Sequence, residues 1–274
     1  MAVGMEHPIM VDAEFSARLE SAEWRPCLPF IEGLQREKPE LHAEHKIVAG
    51  GRMMYGGPQS PMNHIIGMGL NGPVSKDEMD EVEEFYRSRK AVCEIVVSPY
   101  VDPSLMQHLK ERGYGVTEWN SVLIRKLDCD EKFEPEKIEV CPVTQEEALR
   151  WSEVVGRGFA DIAPGLAPDF FVPFASISGA ICFIAYIEGQ AVGGAGGATF
   201  PEAGIAPMYG ASTLPEFRNR GVQSALHRAR LKAAANAGCE FGVVSTLPGS
   251  VSQRNAERNG YRLAYTKIAV QREV

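Results

Sequence analysis

The chain carries one sequence plan twice. The segments CEIVVSPYVDPSLMQHLKERGYGVTEWNSVLIRKL, from Cys93, and CEFGVVSTLPGSVSQRNAERNGYRLAYTKIAVQRE, from Cys239, share five features in the same order. Each has Cys-Glu, an apolar strand-like run, a Pro/Ser turn, a polar helix that ends in Gly-Tyr, and a final strand. This repeat predicts a duplicated domain of roughly 130 residues. We expect a first domain over residues 1–126, a charged linker over 127–137 and a second domain over 138–274.

The composition indicates a soluble globular protein. Of the 274 residues, 45% are hydrophobic and 23% charged, an ordinary balance for a globular chain. The six cysteines include no CxxC pair, which disfavours disulfides and a metal site and favours a reducing, cytoplasmic setting. The sequence predicts no export signal and no membrane span. A net charge of −8 with dispersed basic residues disfavours a nucleic-acid partner.

The second half alternates strands and helices. IEVCPV (138–143) predicts a strand, and Thr144 with Glu147 forms a capping-box signature for a helix near 145–158. ICFIAYI and AVGGAGGATF, separated by Glu-Gly-Gln, predict a hairpin. The run GGAGG does not open a helix, so we interpret it as strand that lets a ligand or a neighbouring backbone approach closely. Between helix and hairpin, prolines indicate irregular structure or a short helix around PDFFVPFAS; its phenylalanines would line an acceptor pocket or fill the core.

Residues 212–226, STLPEFRNRGVQSAL, join a predicted strand, MYGASTL, to a helix. Apolar residues recur at helical spacing from Gly221 to Ala237, and Gly238 is a natural stop. The first N–H groups of a helix lack internal partners and carry the positive end of its dipole. Gly221, Arg218 and Arg220 would therefore admit a phosphate group here. The alternative is a solvated arginine pair on a surface turn.

The stretch Arg218-Asn219-Arg220-Gly221-Val222-Gln223 resembles the pyrophosphate loop of the GNAT superfamily of acetyl-CoA-dependent N-acetyltransferases. That family's pattern is Arg/Gln-x-x-Gly-x-Gly/Ala between the fourth strand and a long helix, and Gln223 departs from its last position. The resemblance extends to the element order of residues 138–272, including Gly260-Tyr261 where the family commonly has Gly-Phe. It implies an α/β (α+β) fold of two GNAT-like domains, each a mixed, mostly antiparallel sheet flanked by helices.

The resemblance also implies a cofactor site for acetyl-CoA, used as a co-substrate. The main chain of Ser212, Thr213 and Leu214 would meet the pantetheine and thioester, and Asn255 would reach the coenzyme or else cap a helix or face solvent. The pyrophosphate would be cradled by the backbone of the loop together with the following serine: Arg218, Asn219, Arg220, Gly221, Val222, Gln223 and Ser224.

The family's usual catalytic groups are missing from the expected positions. Ala256 stands where the family has a tyrosine that acts as an acid, and the strand MYGASTL carries no glutamate. Glu202, Tyr209 and Ser245 are substitutes, although each has an alternative role as a surface carboxylate, a packed aromatic or a satisfied hydroxyl. Two other functions therefore stay open: a non-catalytic CoA-binding protein, or an Arg/Gly turn that holds a nucleotide or phosphate.

The first half lacks the phosphate loop. Its equivalent stretch, MGLNGPVSKDEMDEVEEFY, has no arginine in the turn and opens a helix with Lys76 followed by six acidic residues, which would repel a phosphate. We expect a degenerate copy without a cofactor. The resulting hypothesis is direct acetyl transfer, in the second half, to a small-molecule amine that approaches across an α-helical segment at 159–176. The protein would be a monomer or homodimer.

Overall fold

The computed structural model describes residues 9–133, 138–165 and 167–272. Within them the chain forms eleven strands and seven α-helices. The strands are β1 (Glu44–Val48), β2 (Gly51–Tyr55), β3 (His64–Ile66), β4 (Glu94–Val97), β5 (Gly115–Lys126), β6 (Glu139–Pro142), β7 (Phe183–Ile187), β8 (Gln190–Gly197), β9 (Ile205–Thr213), β10 (Phe241–Thr246) and β11 (Arg262–Gln271). The α-helices are α1 (Ala13–Glu37), α2 (Lys76–Ser88), α3 (Pro103–Glu111), α4 (Ala148–Gly158), α5 (Val172–Ala175), α6 (Val222–Asn236) and α7 (Val251–Arg258).

One mixed sheet contains all of these strands, in the order β1-β2-β3-β4-β11-β5-β10-β9-β8-β7-β6. The pairs β3–β4 and β9–β10 are parallel, and the other neighbours are antiparallel. Helices α1, α4 and α5 share one apolar cluster, whereas α6 packs on the opposite face. The predicted fold class, a mixed and mostly antiparallel sheet flanked by helices, is confirmed.

The last strand of each half pairs with the other half. Strand β11 lies between β4 and β5 and is antiparallel to both. Strand β5, from the first half, continues the sheet to β10 of the second. The two halves therefore share one sheet, an exchange that the repeat in the sequence does not reveal. The domain boundaries stay a prediction, and residues 134–137 of the expected linker lie outside the described residues.

The predicted elements of the second half are present. Thr144 and Glu147 form the capping box that precedes α4, and α6 is followed by Gly238 with a positive φ of 84°. In the expected α-helical segment at 159–176, only α5 is helical among the described residues, and the others form turns, a bend and irregular structure.

The glycine-rich strand β8 allows close packing between helix and sheet. A Cβ atom at Gly194 would lie 2.8 Å from Val155, and one at Gly196 would lie 2.9 Å from the ring of Trp151. Both neighbours belong to α4. The close approach predicted for GGAGG is thus made by α4, which lies directly on the strand.

Helix α1 was not predicted. Its N-cap Asp12 accepts a hydrogen bond from the Phe15 N–H group at 2.8 Å, and it contains Pro26 and Pro29. It contacts strands of both halves, and Phe30 stacks on Phe174 of α5 with ring centroids 5.1 Å apart. None of the described helices has the length and hydrophobicity needed to cross a membrane.

Candidate functional site

A gap opens in the sheet where β9 and β10 separate. The two parallel strands pair only over Ile205–Phe241, Ala206–Gly242 and Pro207–Val243. Beyond these pairs, residues 208–213 of β9 are not paired with residues 244–246 of β10. We call the space between these two stretches the β9–β10 gap.

A bulge in β9 adds to this separation. Opposite Gly194 and Gly196 of β8, the register shifts so that β9 runs from Tyr209 to Ser212 with one extra residue. Gly210 lies within the bulge and has a φ of 55°, a left-handed conformation that suits glycine. Bulges re-aim a strand and are over-represented next to active sites.

The turn after β9 brings the chain to the start of α6. A 3-10 turn at Pro215–Phe217 is followed by Asn219 and Gly221, both with positive φ, at 63° and 88°. Gly221 is the N-cap of α6, where no side chain caps the helix and no acidic residue stands in the first turn. The Ala225 N–H group donates to the Gly221 carbonyl at 3.1 Å. The three amide groups before it, those of residues 222–224, lack intrahelical acceptors.

The arginines of the turn have protein contacts of their own. Arg218 donates to Asp161 at 2.9 Å and to the Gly158 carbonyl at 3.3 Å. This ion pair is exposed, and such pairs contribute at most about 1 kcal/mol, so an anion can compete for Arg218. The Arg220 guanidinium lies 5.2 Å from the centre of the Phe217 ring.

The end of β9 presents backbone groups to the gap. The Leu214 N–H group donates to the Val192 carbonyl of β8 at 2.9 Å. Because backbone groups alternate along an antiparallel ladder, the backbone N–H and C=O groups of Thr213 face the opposite edge, toward the gap, where the carbonyl accepts a hydrogen bond from Arg218 at 3.4 Å. The Ser212 hydroxyl is buried and donates to the Val155 carbonyl at 2.9 Å. Gln223 donates to the Thr213 hydroxyl at 2.9 Å and links the strand end to α6.

Helix α7 carries two residues singled out in the sequence. Asn255 is half-buried, and its backbone carbonyl accepts hydrogen bonds from Asn259. Ala256 is fully buried. It stands where the family has a tyrosine that acts as a general acid, and its methyl group cannot take that role.

The three candidate catalytic residues do not lie together. Glu202 is in the turn before β9 and pairs with Arg25 of α1 at 2.8 Å. It therefore lies at the opposite end of β9 from the start of α6, roughly 30 Å away at about 3.3 Å per residue. Tyr209 and Ser245 belong to the two strands that border the gap.

Tyr209 has a buried hydroxyl without a hydrogen-bond partner among the described residues. Its ring packs against Phe174 with centroids 5.3 Å apart. Burial raises the pKa of Tyr209 well above its usual value, so the side chain stays a neutral phenol, the form that donates a proton. Ser245 lies on β10 and its hydroxyl donates to the Glu23 carboxylate of α1.

Glu23 belongs to a buried charge cluster that the sequence analysis missed. Lys267 of β11 lies 2.7 Å from Glu23 and 3.1 Å from Glu20, measured between Nζ and carboxylate oxygens. The Tyr265 hydroxyl donates to Glu20 at 2.6 Å. Glu20 and Glu23 lie three positions apart, which is a helical spacing. Because the sequence predicted no helix in this region, that spacing had no structural interpretation.

One group in the described part of the chain has oxygen and sulfur atoms close enough to share a metal ion. Asp128, Cys129 and Asp130 are consecutive, exposed residues whose ligand atoms lie within 4.8 Å of one another. Neighbouring acidic residues of an exposed turn commonly come this close without a metal.

Comparison with known proteins identifies the second half. Residues 148–261 match the model of the acetyltransferase (GNAT) family. This segment is a GNAT acetyltransferase domain. It contains the gap, the bulge and the start of α6, so the resemblance seen in the sequence is confirmed. No curated protein matches the chain.

Solved structures of GNAT proteins share the fold of the whole chain. A GCN5-related N-acetyltransferase from Kribbella flavida is 16% identical with a TM-score of 0.64, and the match covers 97% of each chain. A tandem GNAT protein from the clavulanic acid biosynthesis pathway is 13% identical with a TM-score of 0.62, covering 95% of this chain and 94% of that one. A GCN5-related N-acetyltransferase from Sphaerobacter thermophilus is 17% identical with a TM-score of 0.58, covering 77% and 71%.

Proposed function

We propose that this GNAT protein is an acetyl-CoA-dependent N-acetyltransferase that transfers an acetyl group directly to a small-molecule amine. The observation that carries the proposal is the start of α6. Its first amide groups are uncapped, it follows the β9–β10 gap directly, and its N-cap is Gly221. These features fit a diphosphate at the helix N-terminus with the rest of the coenzyme in the gap.

The equivalent helix of the first half has the opposite chemistry. At the start of α2, the Ser75 hydroxyl accepts from the Glu78 N–H group at 3.2 Å, and Glu78 accepts from the Ser75 N–H group at 2.8 Å. This capping box satisfies amide groups that are free in α6, and Asp77 and Glu78 add negative charge. We propose that acetyl-CoA binds only in the second half.

The residues at the gap have distinct roles in the proposed transfer. Acetyl-CoA supplies the thioester, and the acceptor must present a neutral nitrogen whose lone pair attacks the carbonyl carbon. The Thr213 backbone faces the gap, and the free amide groups of residues 222–224 with Arg218 hold the diphosphate. The phenol of Tyr209 is a candidate donor to the sulfur that departs when the C–S bond breaks, and the proton released by the acylated nitrogen restores the phenol. Ser245 orients Glu23. Glu202 is bound to Arg25 at the other end of the strand and has no role in this scheme.

A second candidate function is a CoA-binding protein without transfer activity. It is favoured by the buried Ala256, which cannot donate a proton, and by the lack of a glutamate on β9. Free thiol released from acetyl-CoA in the presence of an amine library would exclude it.

A negative charge introduced at Gly221 tests whether the start of α6 binds the diphosphate. At about 100 times the dissociation constant, acetyl-CoA stabilises a true binder by about 2.7 kcal/mol, which a rise in melting temperature reports. We expect Gly221→Asp to abolish this rise, because its carboxylate both repels phosphate and accepts the helix amide groups. ATP, which a general nucleotide site would bind, should cause no rise in the wild type.

Gly221→Asn is the matched control. Asparagine has the same shape as aspartate and a similar tolerance for positive φ, but it is uncharged, so the asparagine variant should keep part of the rise. If acetyl-CoA raises the melting temperature of the aspartate variant by as much as that of the wild type, the coenzyme binds elsewhere.

The remaining features of the proposal rest on composition. We propose that the protein is cytoplasmic, acts as a monomer or homodimer, and has neither a nucleic-acid nor a membrane partner. The net charge of −8 supports the absence of a nucleic-acid partner.

A further inference from the structure

Helix α1 contacts corresponding positions at the ends of β4 and β10. Ser16 lies 2.9 Å from Ser98, which follows β4, measured between hydroxyl oxygens. Seven residues later, Glu23 accepts a hydrogen bond from Ser245 of β10. Ser98 and Ser245 occupy equivalent positions, because each follows Val-Val in the repeated segment. The same helix therefore contacts corresponding positions of the two halves, but with different chemistry.

The contact in the second half involves a partly exposed carboxylate that is hydrogen-bonded to a strand bordering the gap. The Glu23 side chain is 27% exposed, whereas that of Glu20, one turn earlier, is 1% exposed. Ser245 is itself exposed and lies on the stretch of β10 that has lost its partner in β9. One strand away across the gap, Tyr209 packs in the same cluster as Cys27, which follows Glu23 by one helical turn.

The charges around Glu23 do not balance. Two carboxylates, Glu20 and Glu23, share the single ammonium group of Lys267. Burial lowers the pKa of His64, which is near Glu23 and Glu94, so its imidazole is neutral at pH 7. Burial is the largest effect on Glu20 and raises its pKa. Burial opposes ionisation of Glu23 as well, but Lys267 together with the hydrogen bond from Ser245 outweighs this effect and lowers the pKa of Glu23.

We propose that Glu23 binds a positive charge on the acceptor, so that the preferred substrates are small amines with a second cationic group, such as diamines. The inference rests on the proposed transfer reaction. A carboxylate that stays ionised is suited to hold a cation and is a weak base for the reacting nitrogen. Glu23 lies outside the segment that matches the acetyltransferase family, so the first half would supply substrate recognition to the second.

A series of equal-length amines tests the assignment. The probes are 1,4-diaminobutane, 4-amino-1-butanol and 4-aminobutanoate, whose far ends carry a positive charge, no charge and a negative charge. For the wild type we expect KM to rise in that order, by about tenfold from the diamine to the amino alcohol, the factor that one hydrogen bond to a charged group supplies. The ordering should weaken at high salt.

Variants at Glu23 separate recognition from architecture. Glu23→Gln can keep the hydrogen bond to Ser245 but loses the charge, so KM for the diamine should rise about tenfold and approach that of the amino alcohol. The kcat value should stay within about threefold of the wild-type value. Stabilisation by acetyl-CoA should be unchanged. Glu23→Asp should restore part of the preference for the diamine.

Glu240→Gln is the matched control. Glu240 also pairs with α1, through Arg18 at 2.6 Å, but it is exposed and lies before β10. Its substitution should leave the KM values of all three amines unchanged. A merely structural role of Glu23 would lower stability without changing the order of the amines.

The outcomes distinguish this inference from the proposed function. Equal KM values for the diamine and the amino alcohol in the wild type would overturn the role of Glu23 while acetyl transfer stands, even if Glu23→Gln does not fold. Wild-type preference for the diamine that survives in Glu23→Gln would overturn it as well. Stabilisation by acetyl-CoA without turnover of these or any library amine would exclude transfer, and the role of Glu23 with it.

Discussion

Arg230 of α6 is a buried cation without a carboxylate partner in the described part of the chain. It is 1% exposed, and its guanidinium donates to the Gly196 carbonyl at 3.0 Å and to the Leu226 carbonyl at 3.2 Å. Gly196 lies at the register shift between β8 and β9. The bulge that shapes the gap is thus held from the opposite face of the sheet by α6.

Next to Arg230, His227 is buried in its neutral form. It is 5% exposed, and its Nδ1 atom has no hydrogen-bond partner among the described residues. Burial lowers its pKa well below the usual 6.5, and Arg230 and Arg125 add to the effect. In the unfolded chain the imidazole takes up a proton near pH 6.5, so the contribution of His227 to stability is complete above that pH and is lost on acidification.

We therefore expect His227→Phe to reduce the acid sensitivity of folding. Below about pH 6, the wild type should lose about 1.4 kcal/mol of unfolding free energy per pH unit more than the variant. Urea denaturation of both proteins between pH 5 and pH 8 measures the difference, in which all other titrating groups cancel. Curves that run parallel over this range would show that the imidazole can be protonated in the folded state.

At the residue scale, local patterns predicted the turn and the start of α6 but not the partners of the catalytic candidates. Gly221 and its turn could be recognised because the strand, the turn and the helix are consecutive in the sequence. Glu23 and Ser245 are 222 positions apart, and nothing local in either segment encodes their contact. Long-range pairs of this kind depend on tertiary packing.

Among the elements, β11 is tied to α1 by a buried charge. Lys267 is 2% exposed and pairs with Glu20, which is 1% exposed. Removing one member of a buried ion pair leaves the other charge without compensation. The pair therefore fixes the position of α1 over the central strands.

We expect Lys267→Met to lower the unfolding free energy by about 3–5 kcal/mol. Glu20 would lose its ammonium partner and keep only the hydrogen bond from Tyr265. Adding Glu20→Gln should recover part of the loss, and urea denaturation measures both effects. Arg262→Met is the control, because it makes the same kind of change at an exposed position of β11 and should cost less than about 0.5 kcal/mol. A similar small cost for Lys267→Met would mean that water reaches the pair.

Element prediction succeeded where periodicity and capping agreed. Helix α6 shows a stripe of apolar residues and a glycine stop, and the capping box before α4 is present as predicted. Helix α1 escaped prediction, and its two internal prolines are normally helix breakers. Packing of both of its faces, against strands and against α5, stabilises it despite them.

For the whole molecule, exchange of the final strands makes the two halves depend on each other. Strand β11 completes the sheet beside β4, and β5 completes it beside β10. The apolar cluster of the first half includes Val270 of β11. Repetition in the sequence indicated two copies of a plan, but a repeat alone does not specify which sheet each final strand joins.

This exchange implies that the chain unfolds as one cooperative unit. Leu105 of α3 is fully buried in the first-half cluster, so Leu105→Ala should cost about 2–5 kcal/mol. With Trp24 and Trp119 replaced by phenylalanine, fluorescence of Trp151 reports unfolding of the second half alone. In this background, Leu105→Ala should lower the urea midpoint of the Trp151 transition by the full amount that corresponds to its loss of unfolding free energy. Met106→Ala, a similar truncation at a neighbouring site that is 46% exposed, should leave the midpoint nearly unchanged. Halves that fold independently would instead keep the Trp151 transition of Leu105→Ala at its original midpoint.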